Sequence, residues 1–210
     1  MITLPGYENI QQIQSGPGFI RFAGQHAASA RPVELIFFPL SPSILSEAAG
    51  IGDVYDPLAE MQSDHVMSVH AVKKITVGAE TGILLVISPA DNINFLDYCR
   101  YEKLSLIDSL DVATQLATAV NDMHTAGFIH KGLKFSGIDI DPAGKVARIA
   151  DFAPPILMGT PSSLFNVQDT QVSGIPEDYL PYMSPEQTGR MNRRIDFRTD
   201  FYSLGIILYQ

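Results

Sequence analysis

The residues of this chain that could do chemistry are few and gathered in a handful of places. Ser15-Gly16-Pro17-Gly18 could form a short turn that lays backbone N–H groups against a phosphate, although Pro17 removes one donor. Farther on, the run Ile129-His130-Lys131-Gly132-Leu133-Lys134-Phe135-Ser136-Gly137 is followed fourteen residues later by Asp151-Phe152-Ala153. Lys134 could reach an anion and Asp151 could ligate a hard cation; their plainer readings are a polar loop residue and a turn residue. Arg190, Arg193, Arg194 and Arg198 make a basic cluster, either an anion site or a solvated surface beside a helix start. His26, His65, His70 and His124 show no metal-ligand spacing, and Cys99 is expected to be an inert thiol.

Those residues need a scaffold, and composition supports one. The chain has 210 residues, 46% apolar and 18% charged, which suffices for one sizeable core or two small ones. A net charge of −9 argues against a nucleic-acid surface. One cysteine excludes an internal disulfide framework. No apolar run approaches the roughly 18 residues a membrane span requires, and the N-terminus lacks the basic start and apolar stretch of a secretion signal. A cytoplasmic protein is the expectation. Charge is also uneven: no lysine precedes Lys73, and Arg21 and Arg31 are the only arginines before it.

The first 95 or so residues read as strands and turns. Residues 32–40 (PVELIFFPL) and 83–87 (ILLVI) are β-branched and aromatic, as buried strands are. Residues 45–62 form a helical candidate interrupted by Gly50, Gly52 and Pro57. A long helix is predicted over 106–125, with Leu106, Leu110, Ala113, Leu116, Ala117, Val120 and Met123 on its apolar face and Gly127 as its stop. Short strands should follow at 137–140 and 146–149, joined by a turn at Asp141-Pro142-Ala143-Gly144. A Pro-, Ser- and Gly-rich connection over 154–182 leads to a helix starting near Asp200, whose apolar residues need partners. The chain reads as truncated within that lobe.

The order of these motifs resembles the protein kinase superfamily. Residues 129–137 are similar to the H-R-D-L-K-x-x-N catalytic loop, and Asp151-Phe152-Ala153 to D-F-G. Ser184-Pro185-Glu186 resembles A-P-E, and Asp200-Phe201-Tyr202-Ser203-Leu204-Gly205 the opening of the central helix of the larger lobe. The stretch from Tyr182 to Arg193, continuing through Asp196 to Asp200, together with Leu4-Pro5-Gly6-Tyr7, resembles the N-terminal serine/threonine-kinase-like domains of large multidomain histidine kinases. In those proteins an ATPase region, a GAF domain and a histidine-kinase module typically follow.

The resemblance implies an α+β, two-lobed fold: an N-lobe with an antiparallel sheet over residues 1–88, and a partial, helical C-lobe over 89–210. It also implies ATP and magnesium as ligands, serine/threonine phosphorylation as the family activity, and other domains of a larger signalling protein as partners. Residue by residue, much of the machinery is missing. The base position is Gly132, the second metal ligand falls at Gly137, and Ile36 stands where a strand lysine should clamp phosphates. No acid fits the helix glutamate that orients that lysine; Glu47, Asp53, Asp56 and Glu60 all lie near. Lys134 remains in the catalytic loop, Asp151 as metal ligand, Gly16 and Gly18 in the phosphate turn, and backbone near Val86 and Ser88 to meet adenine. His130 is expected to pack the loop and Asp200 to brace its backbone. Two functions follow: a catalytically impaired regulatory or binding module, or a working kinase with an unorthodox base such as Asp139 or Asp141.

Overall fold

The structure is a computed structural model that describes residues 4–16, 18–40, 53–89, 92–153 and 177–210. Its upper sheet contains β1 (Tyr7–Gly16), β2 (Phe19–His26), β3 (Pro32–Pro39), β4 (Val69–Val77) and β5 (Glu80–Ile87), all antiparallel in the order β1-β2-β3-β5-β4. Strand β3 is buried on both faces from Leu35 to Phe38, which explains the apolar run there. Ile36 and Phe38 join the main core, while Val33, Leu35 and Phe37 pack with Leu4, Tyr7 and Phe22 in a second cluster on the outer face. A lower sheet, β6 (Ile93–Asn94), β7 (Ile138–Asp141) and β8 (Val146–Ile149), is antiparallel as well. The two sheets are stitched together: Met67 N–H donates to the Ile149 carbonyl at 2.8 Å and Ile149 N–H to that of His65 at 2.9 Å.

Helices α2 (Phe95–Tyr101), α3 (Leu106–Thr125) and α4 (Arg198–Tyr209) build the lower lobe. Helix α3 has the bounds its sequence predicts. Ser105 and Asp108 close a capping box at its start, and Gly127 turns the chain beyond its end at a φ of +86°. Its buried stripe, however, is Val112, Leu116, Ala119, Val120 and Met123; Leu106 and Leu110 are exposed. The spacing identified the element and misplaced its face by part of a turn, because several apolar residues satisfy the same period. Of the helix expected over 45–62, the described residues contain only α1 (Asp56–Glu60), with 41–52 outside them. Of the long connection, 154–176 lies outside the described residues and Glu177–Tyr182 forms a 3-10 turn.

The loop between α3 and β7 carries the candidate site, and α4 holds it in place. Asp200, fully buried, accepts the N–H of His130 at 2.9 Å and of Lys131 at 2.7 Å, and meets His124 Nε2 at 2.8 Å. Gln187 donates to the Lys131 carbonyl at 2.6 Å, and its own oxygen accepts from Ser184 and Thr199. Lys131 is thus gripped on both sides while held at a φ of +61°, a left-handed conformation that a lysine does not choose unaided.

Replacing Asp200 by Ala strands two backbone donors in the interior, each worth about 1–3 kcal/mol. D200A should therefore lower unfolding free energy by about 3 kcal/mol or more in urea titrations, and D200N, which keeps one acceptor, by clearly less. Equal losses in the two variants would show that the carboxylate is not the brace.

Candidate functional site

Between the two sheets lies a cleft of about 620 Å³. Gly16, Lys134 and Asp151 line it, so three of the sequence-derived site residues come together. Gly18, Val86 and Ser88 do not line it. Gly18 sits in the β1–β2 turn at a φ of +83°. The Val86 side chain belongs to the cluster on the outer face of the upper sheet. Ser88 donates its N–H to the Ser68 carbonyl at 3.1 Å and its hydroxyl meets His70 at 2.8 Å. The turn is tight as well: Gly16 pairs with Phe19, whose ring lies where a side chain at 16 would stand.

Lys134 enters the cleft from the catalytic-type loop and is only 7% exposed. Its Nζ lies 2.6 Å from Asp178 Oδ2, 3.6 Å from Asp151 Oδ2 and 4.1 Å from the centre of the Tyr179 ring. Burial pushes the Tyr179 hydroxyl far above its ordinary pKa, so it stays protonated. Asp151 follows β8; its Oδ1 accepts the Phe152 N–H at 3.0 Å and its carbonyl meets His130 Nε2 at 2.9 Å. His130 Nδ1 accepts the Gly132 N–H at 3.3 Å, so the network assigns a neutral ring with its proton on Nε2. Burial lowers the His130 pKa, against the pull of Asp200 and Asp151, and keeps that ring uncharged.

The positions that lack side chains are equally definite. Gly137 accepts the N–H groups of Ala150 and Asp151 at its carbonyl, and a Cβ placed on it would stand 3.0 Å from Asp151 Cβ. A side chain at 137 would need Asp151 to give way by a few tenths of an ångström. Asp151 offers the cleft a carboxylate, an oxygen ligand of the kind a magnesium ion takes. Among the described residues no three His, Cys, Asp or Glu side chains converge to hold a metal by themselves.

Of the alternative bases, Asp141 accepts the Ala143 N–H at 2.9 Å inside its own turn, away from the cleft. Asp139 does line the cleft, and burial pushes its carboxyl up, with Arg21 opposing. Asp53, Asp56 and Glu60 are exposed and do not orient a cation in the cleft, and Glu47 lies outside the described residues. Tyr55 and Leu58 are the described residues of that segment that turn inward. Of these, Tyr55 reaches the site. Fully buried between Phe38 and Phe128, it donates its hydroxyl to the Ala153 carbonyl at 2.6 Å and so ties α1 to the Asp151 segment.

Three cleft residues escape a reading of the sequence. Arg21 on β2 donates to the Ala150 carbonyl at 3.0 Å and lies 3.8 Å from Glu34. Its only advance signal is a charge alternating with apolar residues in a strand. Glu34 hides in an apolar strand in the same way. Asp178 belongs to a segment without periodicity, and only the fold brings it to Lys134.

Comparison with known proteins agrees with this geometry. The family model described as the protein kinase domain matches residues 56–210. Serine/threonine-protein kinase pkn3 of Myxococcus xanthus is 34% identical over 103 residues, covering 47% of this chain and 18% of that protein. Histidine protein kinase 1 of Candida albicans is 31% identical over 111 residues, covering 51% of this chain and 4% of that protein. The chain therefore spans well under two thirds of the curated relatives it matches. A crystal structure of Rad53 residues 1–466 in complex with AMP-PNP superposes with a TM-score of 0.68 at 14% identity, covering 97% of this chain and 47% of that one, a likeness of fold. The two-sheet cleft, the braced loop and the matched segment agree: this chain belongs to the protein kinase domain family.

Proposed function

We propose that this domain is a catalytically silent kinase fold that serves signal transduction as a binding and regulatory module. The observation that carries the reading is Gly132, which stands where the carboxylate that accepts the substrate proton would be. A positioned base contributes about 10²- to 10⁴-fold to rate. The missing second metal ligand at Gly137 and the aliphatic Ile36, fully buried in the core, remove further charge compensation from a reaction that depends on little else. ATP is the proposed ligand, in keeping with the nucleotide analogue in the Rad53 complex. A magnesium ion at Asp151 would neutralise phosphate charge when bound; Lys134 would hold an anion on the lower wall. The histidine kinase relative supports a place beside other domains of a larger signalling protein. A cytoplasmic location is part of this reading, and among the described residues no helix is long and apolar enough to cross a membrane.

A second reading is favoured by one distance. Asp178 lies 2.6 Å from Lys134 and brings a half-exposed carboxylate to the catalytic loop, where it could serve as an unorthodox base in an active serine/threonine kinase.

Phosphate transfer from labelled ATP to a basic protein substrate should not rise above a protein-free control. Turnover at the ordinary kinase rate of about 1–100 s⁻¹ would overturn the first reading, and its loss in D178N would establish the second. In thermal unfolding, ATP at about 100 times Kd should add about 2.7 kcal/mol of stability. Magnesium should enlarge that gain in the wild type and leave it unchanged in D151N. A magnesium increment that survives D151N would remove Asp151 as the ligand.

A further inference from the structure

The strand lysine that clamps phosphates in kinases has no counterpart on β3, yet the cleft is not without a cation from above. Arg21 on β2 is the register partner of Ile36, so it occupies the neighbouring strand directly beside the expected lysine position. Its guanidinium crosses from the upper sheet to the lower and bonds the carbonyl of Ala150, the residue before Asp151. Glu34, on β3, lies 3.8 Å from the guanidinium as its ion-pair partner. Lys134 stands on the lower wall, with its Nζ 3.6 Å from Asp151. Two cations from opposite walls therefore converge on the region of Asp151.

One atom makes this more than an interlobe tie. Arg21 Nε is buried and has no hydrogen-bond partner, although the rest of the guanidinium is engaged. A buried guanidinium donor left open costs free energy and is rarely tolerated without a reason. Arginine is also the side chain whose planar donors best match phosphate oxygens.

We propose that Arg21 is the phosphate-clamping cation of this cleft, in place of a lysine on β3, and that the ligand it takes is a nucleoside di- or triphosphate. The proposal rests on the nucleotide-cleft part of the function proposed above and not on the absence of phosphotransfer. Glu34 holds the guanidinium in the empty cleft, and the phosphate competes with it.

The test is calorimetric titration of ATP, ADP and adenosine into the whole chain, in EDTA so that no metal contributes. R21Q should weaken ATP and ADP binding by about 10- to 100-fold, the worth of a charge-assisted hydrogen bond, and leave adenosine binding unchanged. R21K should fall between wild type and R21Q, and E34Q should tighten ATP binding by releasing the arginine. Wild-type protein that binds neither ATP nor ADP overturns the proposal, as does R21Q with wild-type affinity. An equal loss for adenosine in R21Q also overturns it, by marking the arginine as structural. Should R21Q fail to fold, unchanged ATP affinity in both R21K and E34Q overturns it just as surely. None of these outcomes depends on the phosphotransfer assay, so the two readings can fail separately.

Discussion

The site depends on one buried carboxylate. Asp200 reaches out of the first turn of α4 and takes the N–H groups of His130 and Lys131 at once. An ionised acceptor in a dry interior bonds strongly to amide donors, and the same dryness makes its removal costly. That single anchor fixes a left-handed residue, sets the start of the loop and so determines where Lys134 emerges. Gln187 completes the grip from the segment after β8, joining both flanks of the site to α4. The loop's supports, Asp200, Gln187 and Thr199, lie in the buried interior of the lower lobe, apart from the side chains that face the cleft.

The same division explains the polar network around the cleft. His130 is kept neutral by burial and uses both ring nitrogens, one toward Gly132 and one toward Asp151. Tyr55 reaches the Ala153 carbonyl from the opposite side. The Asp151 segment is thus held at its carbonyls by aromatic side chains from both lobes, and the Asp151 carboxylate is left facing the cleft and Lys134.

Much of the fold was legible in the sequence, for identifiable reasons. Helix α3 announced itself through its apolar period and its end through Gly127, and β7 and β8 through the turn between them. Strand β3 was visible because burial on both faces demands an apolar run, here Leu35 to Phe38. The catalytic-type loop and Asp200 were legible as ordered motifs. The site was less so. Which face of α3 is buried depends on packing partners that no local pattern names. The bond from the Ser88 N–H to the carbonyl of Ser68, just before β4, likewise has no local signal. Arg21 meets Ala150, and Asp178 meets Lys134, only across elements far apart in the chain, and Glu34 meets Arg21 only once β2 and β3 are in register; their residue types alone did not single them out.

Gly137 carries a consequence for substitution in this domain. Asp151 lies so close that a Cβ at 137 would press against its own Cβ at 3.0 Å. A side chain introduced at 137 would need Asp151 to give way by a few tenths of an ångström. The two positions are therefore coupled: a change at 137 is felt at the carboxylate that faces the cleft before the new side chain makes any contact of its own.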